Sequence, residues 1–196
     1  MNQIDLKNSL GNVDIYLLDQ LMKNRYSEND LILDAGCGSG RNFIFLSSLG
    51  FNVTGCDSNE SQIKRLKQYY PSHNLDVFNL EDLHYSTNSF DHIICNAVLH
   101  FANNEVNFKT MIFELHRVLK PGGILFIRMT SEFGIENLIK PTNGQFNLPD
   151  GSNRFLLNSE LIDYLKLSFD FIEPLKTVNV NNLRCMSTLI LSKPSI

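Results

Sequence analysis

The sequence predicts an α/β fold, with a doubly wound and mostly parallel sheet of seven strands that ends in an antiparallel hairpin. Short apolar segments alternate along the chain with segments of helical periodicity, which is typical of this class. Residues 31–33 are all apolar, as expected of a parallel strand that helices cover on both sides. The last two strand segments, 170–178 and 184–192, are joined by a turn-rich link. Together these observations predict the sheet and its final hairpin.

Periodicity and turn residues predict the other elements. Helical spacing of apolar residues predicts helices over residues 13–24, 42–49, 60–70, 105–119 and 156–169. Further strands are predicted at 51–57, 75–78, 89–96 and 124–127. Gly50 is a typical helix stop, and Pro121 ends the helix before the fifth strand, where Gly122 and Gly123 supply a reversal. Residues 130–154 interrupt the alternation, and we expect either a substrate lid or a disordered surface loop there.

A glycine-rich turn follows the first strand. Gly36, Gly38 and Gly40 allow positive φ angles and let a ligand approach the main chain closely. The free N–H groups that open the next helix point into the same space, so the turn predicts a nucleotide-sized binding site. A dinucleotide fingerprint has its third glycine three residues after the second, and Arg41 stands there instead. The spacing therefore disfavours NAD.

Composition limits the kind of partner. The chain has 196 residues, a net charge of −4 and 43% hydrophobic residues, which indicates a single globular domain over residues 1–196. Its tight basic cluster, residues 64–67, lies on a predicted surface helix, so we expect no nucleic-acid partner. Without a long apolar run or a basic leader, we expect a cytoplasmic protein with no membrane contact. The four cysteines lack metal-site spacing, so we expect no metal.

Asp57 ends the second strand, 21 residues beyond Gly36. In doubly wound folds an acid at this place accepts hydrogen bonds from ribose hydroxyls. The alternative is that Asp57 caps the next helix, although Ser58 or Asn59 can do so and leave Asp57 free. We therefore predict that Asp57 contacts a ribose.

Three blocks in the correct order resemble the class I S-adenosylmethionine-dependent methyltransferases. They are the glycine turn at 33–40, the fourth strand and its following loop at 89–101, and the helix, Pro-Gly-Gly turn and strand at 115–127. The resemblance implies a Rossmann-like fold, S-adenosylmethionine as cofactor and S-adenosylhomocysteine as product. The Gly-Arg-Asn sequence at 40–42 is similar to tellurite-resistance-type and other small-molecule methyltransferases.

The resemblance also implies a set of cofactor contacts. Asn79 and Leu80, after the third strand, match the positions that hold the adenine, and Cys95 and Asn96 match the strand end beside the methionine part. Backbone carbonyls near Asp34 and Gly36 would take the cofactor's ammonium group. The cofactor-binding residues predicted in full are Asp34, Gly36, Cys37, Gly38, Gly40, Asn42, Asp57, Ser58, Asn79, Leu80, Cys95 and Asn96.

His100 is the candidate catalytic residue, because imidazole titrates near neutral pH and the fold would place it just beyond the fourth strand. The alternatives are packing or capping of the next helix. Candidate substrate contacts are Tyr16, which is otherwise a core residue, Arg128 and Arg154 for a carboxylate or phosphate, and Phe133 as a pocket wall.

The predicted function is methyl transfer by in-line displacement to an unidentified small-molecule acceptor, in a monomer or homodimer. Most of the rate enhancement would come from orientation and desolvation. Two alternatives stay open: an NAD-dependent oxidoreductase, and a non-catalytic regulator that binds S-adenosylmethionine.

Overall fold

A computed structural model describes residues 3–195 of the protein and contains one large sheet and one small sheet. The strands are β1 (Leu31–Ala35), β2 (Asn52–Asp57), β3 (Leu75–Val77), β4 (Phe90–Asn96), β5 (Leu119–Ser131), β6 (Lys140–Pro141), β7 (Phe146–Asn147), β8 (Asn153–Arg154), β9 (Asp170–Phe171), β10 (Lys176–Val180) and β11 (Arg184–Ser192). The large sheet has the order β10-β11-β5-β4-β1-β2-β3, and β9 also pairs with β11. Strands β1 to β5 are parallel in this sheet, whereas β11 is antiparallel to its neighbours. The mostly parallel sheet with a final hairpin is thus confirmed.

Six helices flank the strands. They are α1 (Gln3–Leu10), α2 (Ile15–Met22), α3 (Arg41–Ser48), α4 (Glu60–Tyr69), α5 (Glu105–Val118) and α6 (Ser159–Lys166) among the described residues. Side-chain oxygens of Asp14, Asn59, Asn104 and Asn158 accept hydrogen bonds from amides in the first turns of α2, α4, α5 and α6. Short polar residues therefore fix where these helices begin.

The core lies on both faces of the large sheet, because alternate side chains of β1 point to opposite sides. Leu33 joins a cluster that includes Phe108 and Leu115 of α5. Ile32 joins a second cluster that includes Phe43 and Leu46 of α3. The strand before the glycine turn is consequently buried on both faces, as its unbroken apolar sequence predicts.

The Pro-Gly-Gly segment differs from its prediction. Instead of a turn before the strand, it lies within β5, which bulges where Leu119 pairs with Phe90 and Ile124 pairs with His92. A Cβ at Gly123 would lie 2.7 Å from the carbonyl oxygen of Asp91. The bulge therefore needs glycine because two backbones approach closely there.

Residues 130–154 are more regular than predicted. β5 continues to Ser131, and β6, β7 and β8 form a small antiparallel sheet. Residues that flank the strands of this sheet bind the 3-10 turn Leu99–Phe101 and the residue after it. The Phe155 backbone amide donates a hydrogen bond to the His100 carbonyl at 3.0 Å, and the Gln145 side-chain amide donates one to the Ala102 carbonyl at 2.7 Å. A separate apolar cluster, Ile135, Leu148, Leu156 and Cys185, lies beneath it. The segment is an ordered element packed beside the sheet edge.

Glu173 anchors an ion-pair network between α2 and the segment before β10. Its carboxylate accepts hydrogen bonds from Lys23 at 2.9 Å, Arg25 at 2.8 Å and Lys176 at 2.6 Å, and its side chain is only 9% exposed. Burial acts to raise the pKa of Glu173, but hydrogen bonds from Lys176, Lys23 and Gln20 outweigh it and lower the pKa to about 2. The ionised form thus stabilises the native state above the unfolded-state pKa.

We expect Glu173→Gln to lower the free energy of unfolding by about 2 kcal/mol at pH 7, because three cations lose a buried partner. The difference from the unmodified chain should shrink as the pH falls from about 4.5 to about 2, where the native carboxyl takes up its proton. Urea unfolding at pH 7 and pH 3 measures both effects. Glu60→Gln is the control, since Glu60 forms an exposed pair with Lys64 and should change stability little. Equal losses in the two variants would contradict the network.

Candidate functional site

A cavity of about 430 Å³ opens at the carboxyl ends of the parallel strands. It lies where the strand order reverses between β1 and β4, the usual ligand position in open α/β sheets. Its volume falls in the range of small-molecule sites. Six predicted cofactor residues line it: Gly36, Gly38, Asp57, Ser58, Asn79 and Leu80. The rest of the lining is Glu81, Ala97, Val98, Phe101, Asn103, Asn107 and Met111. Sequence reasoning did not assign the last six of these to the cofactor.

The three glycines of the turn serve different purposes. Gly36 has φ +78°, and a Cβ there would lie 2.3 Å from a methyl group of Val98. Gly40 has φ +91° and begins α3, where a Cβ would lie 2.7 Å from a methyl group of Leu66. Gly38 has φ +53°, and a Cβ there would meet no atom within 4 Å. The first two glycines permit close packing, whereas Gly38 leaves its backbone accessible from the cavity.

Asp57 is fixed in the cavity wall by two backbone amides. Its Oδ2 accepts a hydrogen bond from Gly38 at 2.8 Å, and its Oδ1 accepts one from Asn59 at 2.8 Å. Asn59 caps α4 by accepting from the amides of Ser61 and Gln62. Because each carboxylate oxygen has a second lone pair, Asp57 retains acceptor capacity towards the cavity.

Asp34 lies at the end of β1 and is 2% exposed. Its carboxylate accepts a hydrogen bond from the amide of Phe43 in α3 at 3.0 Å. Burial raises the pKa of Asp34 to about 7, against the lowering effects of the Phe43 hydrogen bond and the Arg41 charge. The carboxyl thus joins β1 to α3, and it is absent from the cavity lining that the structure describes.

Five other predicted cofactor residues also lie outside the described lining: Gly40, Cys95, Cys37, Asn42 and Asn96. Gly40 begins α3, Cys95 is fully buried in the core, and the Cys37 amide donates to the Cys56 carbonyl at 2.9 Å. Asn42 is buried, and its Oδ1 accepts a hydrogen bond from the Asp14 amide at 3.3 Å. Hydrogen bonds of Cys37 and Asn42 thus connect the turn and α3 to neighbouring elements, and Cys95 contributes to the core.

Asn96 and Ala97 form the end of β4 and the start of its loop. Asn96 is 7% exposed, and among the described residues neither of its amide atoms has a hydrogen-bond partner. Buried amides ordinarily have partners, so Asn96 has hydrogen-bonding capacity for a ligand. Ala97 adopts φ +64°, which is unusual for a residue with a side chain. It lines the first cavity and also a second one.

The second cavity has a volume of about 290 Å³ and lies between the 3-10 turn, the end of β5, the small sheet and the start of β11. Its lining includes the predicted residues His100, Arg128 and Arg154. Arg41 and Arg184 also line it, and the sequence analysis did not assign either to a substrate. The structure therefore brings residues from distant parts of the chain together around a basic cavity.

Asp14 and Tyr16 support one side of this cavity. The Asp14 carboxylate lies 3.4 Å from the Arg128 guanidinium and 3.9 Å from the Arg41 guanidinium. The Arg128 guanidinium also lies 4.9 Å from the ring centroid of Tyr16. Tyr16 thus contacts Arg128 and is absent from the described lining of either cavity. Phe133 was predicted as a pocket wall, but it packs against the main core cluster.

His100 is 6% exposed in the 3-10 turn. The Thr130 amide donates a hydrogen bond to His100 Nδ1 at 3.4 Å, which requires the neutral tautomer with its proton on Nε2. Burial lowers the pKa of His100 to about 4, and the Arg154 and Arg184 charges act in the same direction. At neutral pH the ring is therefore a hydrogen-bond donor. This geometry does not favour the proton-abstracting role predicted from the sequence.

Methyltransferases share this fold. A SAM-dependent methyltransferase from Methanosarcina mazei superposes with a TM-score of 0.73 at 24% identity, over 90% of this chain and 98% of that one. The 1,6-didemethyltoxoflavin-N1-methyltransferase of Burkholderia thailandensis, solved with 1,6-didemethyltoxoflavin and S-adenosylhomocysteine, superposes with a TM-score of 0.70 at 18% identity, over 95% and 78% of the two chains. The fold is the Rossmann-like fold of S-adenosylmethionine-dependent methyltransferases.

Sequence matches point to the same class of protein. Residues 33–127 match the family described as a methyltransferase domain. An uncharacterized methyltransferase, YodH of Bacillus subtilis, is 32% identical over 61% of this chain and 48% of its own length. The probable S-adenosyl-L-methionine-dependent methyltransferase TehB of Haemophilus influenzae is 38% identical over 38% of this chain and 27% of its own length. The chain spans about half the length of YodH and less of TehB. Over residues 33–127, just under half of the chain, the protein is thus similar to S-adenosylmethionine-dependent methyltransferases, whose cofactor is S-adenosylmethionine.

This similarity agrees with the three sequence blocks and gives no support to the NAD-dependent alternative. In the part of the chain that the structure describes, every helix is too short or too polar to cross a membrane.

Proposed function

We propose that the protein transfers a methyl group from S-adenosylmethionine to a small-molecule acceptor. One observation carries the proposal: the cavity at the switch point of the sheet adjoins a second cavity, and Ala97 lines both. A cofactor in the first cavity and an acceptor in the second would be neighbours across this residue. Such an arrangement suits direct transfer between two bound molecules.

Residues of the first cavity, together with Asn96 beside Ala97, offer a contact for each part of the cofactor. Asp57 would accept hydrogen bonds from the ribose hydroxyls, since both of its oxygens are held in place by backbone amides. Asn79 and Leu80 line the part of the cavity beside β3 and would hold the adenine. Gly38 gives access to the main chain, and the unpartnered amide of Asn96 would serve the methionine end.

When bound, the cofactor would supply its sulfonium methyl group to an electron pair of the acceptor atom as the carbon–sulfur bond breaks. S-adenosylhomocysteine would remain, and any proton on the acceptor atom would pass to solvent. The chain's contribution is orientation and exclusion of water. The small sheet and its connecting residues serve as a lid in this proposal, because Asp150, Ser152 and Arg154 line the second cavity. His100 holds an acceptor oxygen through its Nε2–H.

We expect nitrogen NMR of the protein to show His100 as the neutral Nε2–H tautomer at pH 6, with a pKa of about 4. Thr130→Pro removes the amide that donates to Nδ1 and should shift the tautomer population. His84, which is exposed in the same chain, serves as the internal reference. A His100 pKa near 6.5, or the Nδ1–H tautomer, would restore the role of a general base.

Acceptor screening tests the proposed function. The protein is incubated with S-adenosylmethionine and a broad panel of small molecules, and mass spectrometry detects S-adenosylhomocysteine and any compound that gains one methyl group. Acceptor-dependent formation of both products supports the proposal. Cofactor binding without transfer to any member of the panel would favour the non-catalytic regulator.

The proposal includes a single domain over residues 1–196, a cytoplasmic location, a monomer or homodimer, and no nucleic-acid partner. The four cysteines are unpaired and buried, which suits a reducing compartment. The net charge of −4 opposes general binding to phosphate backbones.

A further inference from the structure

Hydrogen-bond donors dominate the lining of the second cavity. Four arginines and the Nε2–H of His100 face a lining in which Asp150 is the one described carboxylate. The arginines are Arg41, Arg128, Arg154 and Arg184. We propose that this cavity binds a small organic acid through its anionic carboxylate or phosphate group, and that this acid is the methyl acceptor of the proposed function, on which the acceptor role rests.

The charges around the cavity do not balance. Arg41 and Arg128 share the buried carboxylate of Asp14, at 3.9 Å and 3.4 Å. The Arg184 guanidinium lies 3.3 Å from the Asp150 carboxylate. Four guanidinium groups thus face two carboxylates, which leaves two positive charges in excess. The Arg41 and Arg184 side chains are 40% and 50% exposed, whereas Arg128 is 18% exposed and Arg154 is half-buried. Because a partly buried cation is costly without a counter-charge, an anionic ligand would stabilise the last two most.

Arg154 is the cation with the least compensation. Among the described residues no carboxylate lies within ion-pair distance of it. Its guanidinium lies 4.9 Å from the ring centroid of Phe101, and its Nη1 donates to the Asn153 carbonyl at 2.7 Å. The other guanidinium N–H groups are left for a ligand. A planar guanidinium fixed on an aromatic face binds a carboxylate or phosphate with two parallel hydrogen bonds.

Arg154 and Arg184 come from the small sheet and the final hairpin, respectively. Both line the cavity together with His100, whose proton lies on Nε2 because Nδ1 accepts from Thr130. Three donors from three elements therefore converge on one space. Such a donor set favours an anion over a neutral amide, because the N–H groups of an amide would face other donors instead of acceptors.

The bound anion is the anchor of the acceptor and not the methylated group. Guanidinium groups that neutralise an oxyanion withdraw its electron density, which makes it a weaker nucleophile. Another atom of the same molecule, directed towards Ala97, then accepts the methyl group. The methylated product accordingly keeps its acidic group.

NMR titration tests the site without any turnover. The full chain, saturated with S-adenosylhomocysteine, is titrated with benzoate, phenyl phosphate and benzamide at constant ionic strength, and side-chain resonances of the arginines report binding. We expect benzoate or phenyl phosphate to bind at least tenfold more tightly than neutral benzamide, and the stronger of the two identifies the anion type. Arg154→Gln and Arg184→Gln should each weaken anion binding about tenfold.

Arg65→Gln is the matched control, because it removes the same charge from an exposed residue of α4 that lies outside the described linings of both cavities. Equal affinity for benzoate and benzamide, or equal losses in the control and the cavity variants, would overturn the anion site. Binding of S-adenosylhomocysteine with no anion preference contradicts this inference alone. Anion binding without any S-adenosylhomocysteine affinity contradicts the proposed function and the acceptor role, but not the site.

Discussion

Asp57→Ala is expected to weaken S-adenosylhomocysteine binding by about 10- to 100-fold, equivalent to about 1.4 to 2.8 kcal/mol. The carboxylate is predicted to accept hydrogen bonds from the ribose, and charge-assisted bonds of this kind contribute about 1.5–3 kcal/mol. It also holds the amides of Gly38 and Asn59, each at 2.8 Å. Its removal thus takes away a ligand contact and loosens the turn that forms the cavity wall.

Isothermal titration calorimetry of the two proteins with S-adenosylhomocysteine measures the effect. Asp82→Ala is the control, because Asp82 lies two residues after Leu80 with a largely exposed side chain outside the described lining. It removes the same charge near the cavity and should leave the affinity unchanged. Unchanged affinity in Asp57→Ala would remove the ribose assignment, and equal weakening in both variants would show a general effect of charge.

Gly36→Ala is expected to lower the free energy of unfolding by about 2–4 kcal/mol and to reduce S-adenosylhomocysteine affinity more than tenfold. Gly36 has φ +78°, which costs a residue with a Cβ about 1–2 kcal/mol. The added methyl would also lie 2.3 Å from a methyl group of Val98, so one of the two segments that line the cavity must move. The variant therefore tests how the glycine turn and the loop after β4 fit together.

A double-mutant cycle separates the two causes. Val98→Ala in the Gly36→Ala background removes the clashing methyl groups, so the double variant should regain part of the lost stability while the backbone strain persists. Gly38→Ala is the comparison, since its Cβ meets no atom within 4 Å. We expect Gly38→Ala to affect ligand affinity more than stability. Chemical denaturation and calorimetry of the unmodified chain, Gly36→Ala, Val98→Ala, the double variant and Gly38→Ala give both quantities. The absence of coupling between positions 36 and 98 would contradict the packing.

Residues at the strand ends were predictable because they obey local rules. Residues 31–33 of the first strand are apolar, and the glycines follow that strand. Asp57 ends β2 and Asn79 follows β3, so the parallel topology alone brings them to one edge of the sheet. Asn59 was one of two predicted caps of α4, and the structure assigns that role to it. These parts of the site depend on short-range sequence and on the order of the strands.

The second cavity depends instead on contacts between distant residues. Asp14 could be predicted as a helix cap, but no spacing indicates that it pairs with Arg128, more than a hundred positions away. Arg184 begins β11, and it lines the cavity together with Arg154 of the small sheet and His100 of the 3-10 turn, which are distant in sequence. Asn42 followed the family motif, yet its side chain bonds to Asp14. Tertiary packing decides such roles, and local patterns do not reveal it.

Calorimetric titration of the purified full chain with S-adenosylhomocysteine and, separately, with NAD tests the central claim most directly. The account predicts saturable binding of S-adenosylhomocysteine with one site per chain, no heat from NAD, and weakening in Asp57→Ala but not in Asp82→Ala. Saturable NAD binding with no response to S-adenosylhomocysteine would contradict it.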